Sequence, residues 1–276
     1  MRRLSKRQRR WIAAGAVLLA LLAAALDVRL LVRRYTVEFE SIEAPVRVAL
    51  ITDLHSCRYG TEQRTLLEAI HGEAPDLVLL GGDLFDKDTD PVHTEQLLRG
   101  LQGRYPVYAV MGNHDLDDGD KADVEYRKEL YDRYGVTLLS GQTAALTFRG
   151  QTVLLGGVQD PAGSKKKFDA QLEQLAEEMG DAPCSLLLSH RPEYYDRYRA
   201  LGFDLVLCGH AHGGQWRIPG LLNGLYAPHQ GLFPEHAGGI FREDGTTMIV
   251  SRGLARETTL VPRIFNRPEL VILDIT

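Results

Sequence analysis

The sequence predicts an α/β fold built on parallel strands. Three observations carry that reading. From about residue 46, short apolar runs alternate with helix-like stretches, the rhythm of strand, crossover helix and parallel strand. Several runs are apolar throughout, as strands buried on both faces must be. Five of the runs end on side chains that carry chemistry, and ligands in open α/β sheets bind outside the carboxyl ends of the strands.

Those five runs can be taken in order. Residues 46–51 lead into Asp53-Leu54-His55, and 76–80 into Gly81-Gly82-Asp83. Residues 106–111 lead into Gly112-Asn113-His114-Asp115, which brings an amide, an imidazole and a carboxylate out together. Residues 184–189 end at His190, and 203–208 lead into Gly209-His210-Ala211-His212. Oxygen and imidazole donors thus converge on one rim, which points to a metal enzyme. Carboxylate and amide oxygens beside several imidazoles suit Mn, Fe, Co or Zn better than Ca. Two such ions about 3.5 to 4 Å apart need a bridging carboxylate. Asp83 is the natural bridge, because its strand should lie between those carrying Asp53 and Asn113.

The remaining elements follow the same logic. Residues 61–71, 94–103 and 121–134 read as helices. Residues 35–40 alternate like a half-buried strand. After Gly135 the runs at 136–139, 144–148 and 153–157 are short strands joined by turns, which suggests a local meander. Residues 168–179 return to a helix, with Phe168, Leu172, Leu175, Ala176 and Met179 on one face. The stretch 217–239 is rich in Gly and Pro and long for a loop, so it reads as functional. Strands at 247–251 and 270–275 close the domain.

The N-terminus stands apart. Arg2, Arg3, Lys6, Arg7, Arg9 and Arg10 precede a run without charge from Trp11 to Leu26. That run is about 16 residues, or roughly 24 Å as a helix, somewhat short of the bilayer core. Asp27 and Arg29 follow, then Leu30-Leu31-Val32; charged groups near a helix end can reach the interface and lengthen the usable span. The segment reads as a single-pass signal anchor with the body outside the cytoplasm, or as a signal peptide cut after Ala23-Ala24-Ala25. The two arginine pairs only loosely match a twin-arginine signal. Arg29, Arg33 and Arg34 on the far side weaken the topology argument. The division is then 1–34 for the basic block and apolar segment and 35–276 for the catalytic domain.

Composition fits one large domain plus extras: 276 residues, 44% hydrophobic and 25% charged. The net charge is −5; with the six cations of the first ten residues set aside, the rest sums to −11. An acidic body offers no broad face for nucleic-acid phosphates, so no nucleic-acid partner is expected. Three cysteines without CxxC spacing argue against a disulfide framework. Cys184 and Cys208 read as small buried hydrophobes, while Cys57 lies close to the first donor motif.

Taken together and in order, Asp53-Leu54-His55, Gly82-Asp83, Gly112-Asn113-His114-Asp115, His190 and Gly209-His210-Ala211-His212 resemble the five motifs of the calcineurin-like metallophosphoesterases. Any one motif is weak, but five in order, each after an apolar strand, are strong. The run Gly209 to Gln215 and the tail Pro262 to Glu269 resemble more narrowly a bacterial branch of membrane-associated or exported phosphodiesterases. The resemblance implies an α/β/β/α four-layer sandwich with a dinuclear site at the carboxyl ends of the strands. It implies one ion on Asp53, His55, Asp83 and His212, and the other on Asp83, Asn113, His190 and His210. It implies Mn first among the metals, with Zn, Fe, Co or Ni as alternatives, and a metal-bridging hydroxide as nucleophile. His114 is then not a ligand. It assists the phosphoryl or leaving group, with Asp115 orienting it. No ligand position departs from the pattern; Ala211 stands where the family often has Thr.

The expected activity is hydrolysis of phosphodiester or phosphomonoester bonds, with lipid-linked or cell-envelope phosphates suggested by location. The same motifs would serve a pyrophosphatase acting on a nucleotide-sugar lipid, or survive in a non-catalytic scaffold. Outside the motifs, His71, His93, His229 and His236 read as packed or surface residues. Asp86, Asp88 and Asp90 read as a solvated acidic loop. Arg191 and Arg252 fit either a substrate phosphate or a salt bridge. Gln215 and Trp216 fit either pocket or packing.

Overall fold

The computed structural model describes residues 5–87, 89–116, 121–180, 182–256 and 261–276. Asp88 of the acidic loop and the arginines at 2 and 3 lie outside the described residues. The chain opens with α1 (Lys6–Ala25), β1 (Leu31–Val37), β2 (Val46–Ile51), α2 (Arg64–Glu73), β3 (Leu77–Gly81), α3 (Val92–Leu101) and β4 (Val107–Val110). It continues through α4 (Asn113–Leu116), α5 (Lys121–Arg133), β5 (Thr137–Leu138), β6 (Gln142–Phe148), β7 (Gln151–Gly157), α6 (Lys165–Met179), β8 (Ser185–Leu188) and α7 (Tyr195–Ala200). The last elements are β9 (Leu205–Cys208), β10 (Tyr226–Ala227), β11 (Gly231–Leu232), β12 (Gly239–Glu243), β13 (Thr246–Val250) and β14 (Glu269–Ile275).

Two six-stranded sheets form the frame, in the orders β1-β14-β2-β3-β4-β5 and β12-β13-β9-β8-β7-β6. Alternate residues of each strand face opposite sides, so each apolar strand feeds two cores. Val48, Leu50 and Leu79 of the first sheet meet Leu186, Leu188, Leu205 and Leu207 of the second in a core between the sheets. On the far side of the first sheet, Ala49, Ile51, Val78 and Leu80 pack under Leu66, Ile70, Leu97, Leu98 and Leu130 of α2, α3 and α5. On the far side of the second, Leu187, Val206 and Met248 pack under Phe168, Leu172, Leu175 and Tyr198 of α6 and α7. The result is the four-layer α/β/β/α sandwich that the motif order implied. Burial on both faces is why these strands are apolar at every position.

Two local expectations need correction. The strand expected over 35–40 spans Leu31–Val37, in parallel register with β14 from Leu31↔Glu269 to Val37↔Ile275. Leu30 and Val32 pack against the core, so this apolar triplet serves the sheet and does not extend α1. The stretch after Gly135 is not a local meander. β5 pairs with β4 in the first sheet, whereas β6 and β7 form an antiparallel hairpin at the edge of the second. Leu138 packs on the outer helical layer and Leu139 in the core between the sheets, so the chain changes sheets there.

α1 is 20 residues long, about 30 Å, but Lys6, Arg7, Arg9 and Arg10 occupy its first turns, so its uncharged part from Trp11 spans roughly 22 Å. Its apolar side chains face outward; among its residues only Ala25 is buried. It starts on a capping box, in which Ser5 Oγ accepts from the Gln8 N–H at 3.2 Å and the Ser5 N–H donates to Gln8 Oε1 at 2.9 Å. Its end is fastened to the domain: the Phe265 N–H donates to the Ala25 carbonyl at 2.7 Å.

Candidate metal centre

Both sheets contribute to one rim. Adjacent strands β2, β3 and β4 deliver Asp53, Asp83 and Asn113, with Asp83 on the central strand. From the other sheet, adjacent β8 and β9 deliver His190, His210 and His212. The chain must turn sharply at each strand end to aim these groups inward. Asp53, His55, Asp83, His210 and His212 accordingly sit at φ of 50°, 47°, 54°, 65° and 47°, left-handed values that non-glycine residues rarely take. Such strain clusters where a site demands it. Space is equally tight: a Cβ on Gly112 would lie 2.2 Å from Asp83 Oδ1, and one on Gly82 2.6 Å from His190 Nδ1.

The donors form two groups. Asp53, His55 and His212 offer ligand atoms that all lie within 4.8 Å of one another, and so do Asp83, His190 and His210. The groups adjoin, with His55 Nε2 3.9 Å from Asp83 Oδ2 and His190 Nε2 4.0 Å from Asp53 Oδ1. Each expected ligand presents one buried atom that makes no hydrogen bond: Asp53 Oδ2, His55 Nε2, Asp83 Oδ2, Asn113 Oδ1, His190 Nε2, His210 Nδ1 and His212 Nδ1. His190 Nε2 and Asp83 Oδ2 approach to 2.9 Å but outside hydrogen-bond alignment. Buried polar atoms left unpaired are costly, and a cluster of them is the signature of cation ligands. The donor set therefore fits divalent metal ions.

Outer partners hold the donors in place. His55 Nδ1 lies 3.0 Å from Asp86 Oδ2, and His190 Nδ1 2.8 Å from the Gly81 carbonyl. Asp53 Oδ1 accepts the His210 N–H at 2.9 Å, and Asp83 Oδ1 accepts the His114 N–H at 2.9 Å. Burial, helped by the charge of His190, keeps the His210 imidazole well below its ordinary pKa. Burial does the same for His212, helped by His55. Both shifts favour the neutral imidazole, the form that binds a metal. Burial also opposes charge on His190, but Asp83 and Asp53 overrule it and push the imidazole up to about 10.

Residues 46–214 match the family model described as calcineurin-like phosphoesterase, well over half of the chain. The chain belongs to the calcineurin-like phosphoesterase family. Its relatives include the Escherichia coli phosphodiesterase YaeI, 29% identical over 251 residues covering 89% of this chain and 87% of that one. The uncharacterized Bacillus subtilis protein YpbG is 27% identical over 226 residues, 79% of this chain and 80% of its own. Among solved structures, the Haemophilus influenzae NAD nucleotidase superposes with a TM-score of 0.53 at 16% identity, over 77% of this chain and 46% of that one. At that identity, over less than half of the larger protein, the likeness speaks for the fold alone. Family and donor set together make this chain a metal-dependent phosphoester hydrolase.

Within this phosphoesterase, His114 stands on α4 with its ring edge-on to His55, the centroids 4.6 Å apart. Asp115 follows on the same helix. Its carboxylate, expected to orient His114, accepts the backbone N–H groups of Asp83 at 2.8 Å, Phe85 at 3.1 Å and Gly112 at 2.8 Å. Its oxygens are committed to the loops that carry Asp83 and Asn113. Burial, then the charge of Asp83, pushes its pKa up to about 6. Asp86 is likewise no solvated loop acid but the partner of His55, while Asp90 accepts the Val92 N–H at the start of α3. Arg191 and Arg252 take the salt-bridge reading, with Asp160 at 2.6 Å and Glu269 at 2.7 Å. Cys57 packs in the outer core of the first sheet.

One residue was missed. His229 Nδ1 lies 3.0 Å from His210 Nε2 and 2.7 Å from Arg191 Nη1. Nothing in its neighbours in sequence marks it; the only signal was the long Gly- and Pro-rich loop that carries it. His71, His93 and His236 remain outside, against Tyr105, Gln96 and Tyr195. Beside the donors opens a cavity of about 640 Å³ lined by Asn113, Lys165, Arg191, Glu193, Tyr194 and His229.

Proposed function

We propose that this chain hydrolyses phosphodiesters at a dinuclear centre on Asp53, His55, Asp83, Asn113, His190, His210 and His212. The observation that carries the reading is the pair of donor groups, each member with one buried, unpartnered atom. The resemblance to YaeI, named as a phosphodiesterase, supports the diester over the monoester. Asp83, on the central strand, has one oxygen held by the His114 N–H and one oxygen free, which suits a bridge. Divalent ions held by these residues, Mn foremost, would supply Lewis acidity toward the phosphoryl oxygens and would lower the pKa of water. His114 stands at the edge of the donor set and donates a proton or hydrogen bond to the phosphoryl or leaving oxygen. The cavity beside Asn113 takes the remainder of the ester. α1 anchors the chain as a single membrane span with the catalytic domain outside the cytoplasm, which makes lipid-linked or envelope phosphates the natural substrates.

The test uses the full chain in detergent. Its metals are stripped, Mn, Zn, Fe, Co, Ni or Mg is returned singly, and a chromogenic diester and monoester are assayed. One metal should restore diester turnover. Asp83→Ala should fail to hold metal, and His114→Ala should hold it but turn over poorly. Two bound ions with neither ester cleaved would overturn the phosphodiesterase reading, and no metal bound would overturn the site itself.

A further inference from the structure

A second built cavity lies at the foot of α1, away from the metal donors. Its volume is about 520 Å³, and its lining includes Arg33, Arg217, Arg252, Ile218, Leu221 and Phe265. The guanidiniums come from three parts of the chain: β1, the loop after the His212 ligand loop, and the segment after β13. Among the described residues one acid answers them. Glu269, fully buried, accepts from Arg252 Nε at 2.7 Å and lies 3.7 Å from Arg33 Nε. Arg217 has no carboxylate partner among the described residues: it donates to the Gly213 carbonyl at 3.2 Å and to the Asn223 side chain. Three cations against one carboxylate leave the cavity electropositive. Burial and then the charge of Arg252 bring Arg217 down to about 10, as expected of a cation short of a counter-ion.

The surroundings say what kind of anion fits. Phe265 of the lining gives its N–H to the Ala25 carbonyl at 2.7 Å, so the cavity touches the last residue of the apolar helix. On its rim, Ile218 and Leu221 are 49% and 83% exposed. Guanidiniums under an apolar rim match a phosphate that carries hydrocarbon. Interfacial arginines also draw anionic lipids by charge alone.

We propose that this cavity binds the phosphate headgroup of an anionic phospholipid, with the acyl chains against Ile218 and Leu221. The proposal rests on α1 lying in a bilayer. It gives a function to Arg33, which sits on the wrong side of the span for the positive-inside pattern. The cavity also adjoins the ligand loop, because Arg217 holds the carbonyl of Gly213, next to His212.

The full-length, metal-loaded chain in neutral detergent tests this. A short-chain phosphatidylglycerol and, separately, inorganic phosphate are titrated while Tm is followed. The lipid should raise Tm saturably, and the Arg33→Gln/Arg217→Gln double variant should need at least about tenfold more lipid for the same rise. Inorganic phosphate should be far weaker than the lipid. An undiminished response in the double variant overturns the proposal, since binding is then elsewhere. A phosphate response equal to that of the lipid and lost in the double variant overturns it too, since the cavity then takes a free anion. If the double variant does not fold, Arg33→Gln and Leu221→Ser carry the test, and an unchanged response in both overturns the proposal. Alkaline washing of membranes is run alongside. A chain that washes off overturns the anchoring reading, whereas an anchored chain without a lipid-specific shift overturns the cavity alone.

Discussion

The side-chain amide of Asn266 donates to the backbone carbonyl of His212 at 2.8 Å. It also reaches the Gln215 carbonyl at 3.1 Å, so one buried residue of the C-terminal tail holds both ends of the ligand loop. Its neighbour Phe265 is the residue bonded to the end of α1. Asn266→Ala removes both donors from buried carbonyls, which should cost about 1 to 3 kcal/mol for each carbonyl left unpaired. The expected result is a lower Tm together with weaker retention of metal, read by metal content after gel filtration. Unchanged metal content would show that the tail does not position His212.

Asp115 and His114 should separate cleanly when each is changed. Asp115→Asn keeps an acceptor but turns an NH₂ group toward backbone N–H groups that have no acceptor to offer. Since those amides belong to Asp83, Phe85 and Gly112, stability and metal binding should fall together. His114→Ala should leave metal content and Tm nearly unchanged and lower kcat by about 10² to 10⁴, the usual worth of a positioned acid or base. If Asp115→Asn held its metals and altered only the pH–rate profile, the orienting role would be restored.

The frame and the donor set were legible because both rest on strand ends. An apolar strand followed by Asp, Asn or His says where a donor emerges whatever the rest of the fold does, and strand order then puts Asp83 in the middle. Residues whose role depends on tertiary contact were not legible. Asp115 and Asp86 look alike as acids beside motifs, and only the folded chain shows one bonded to backbone amides and the other to His55. His229 comes from a loop whose path no periodicity encodes. The start of β1 was misplaced because Leu30-Leu31-Val32 is apolar enough for either sheet or span.

His229 should act through His210. It shares Arg191 Nη1 and His210 Nε2 at 2.7 and 3.0 Å, the side of the imidazole opposite the free Nδ1. Loss of such an outer partner commonly costs about 10- to 100-fold in metal affinity or activity. His229→Ala should therefore weaken metal binding in a titration of the stripped protein while leaving Tm of the stripped protein unchanged, because His229 is exposed. An unchanged metal titration would make it a bystander.

Asp76 gives the fold an acid-sensitive contact far from the donors. Burial alone would raise its pKa, but hydrogen bonds from Arg149 at 2.7 Å and from the Arg47 N–H at 2.9 Å prevail and hold it below the ordinary range. A depressed carboxylate stabilises the fold above its unfolded pKa of about 3.9 and loses that contribution as pH falls through the folded value. The Tm difference between the wild type and Asp76→Asn should thus be full above about pH 5 and close as the pH falls below about 3.9. A difference that stays constant through that window would mean that the carboxylate charge does not matter.

Where α1 is cut away decides whether the catalytic domain survives. β1 pairs with β14 from Leu31 to Val37, and Leu30 and Val32 pack on the core. Arg267 further donates to the carbonyls of Arg29 and Leu30, both at 2.9 Å. A chain beginning at Val28 keeps all of these, whereas one beginning at Tyr35 loses half the strand and bares the edge of β14. Each apolar side chain withdrawn from burial is worth about 1.5 to 3 kcal/mol, and 1 kcal/mol moves Tm by about 2 to 4 °C at this size. The shorter chain should therefore melt at least about 5 °C lower, and its open strand edge should drive association. Size-exclusion profiles and Tm of the two truncations, compared side by side, check both effects. Equal melting and equal monodispersity would show that β1 is dispensable and that the domain closes on β14.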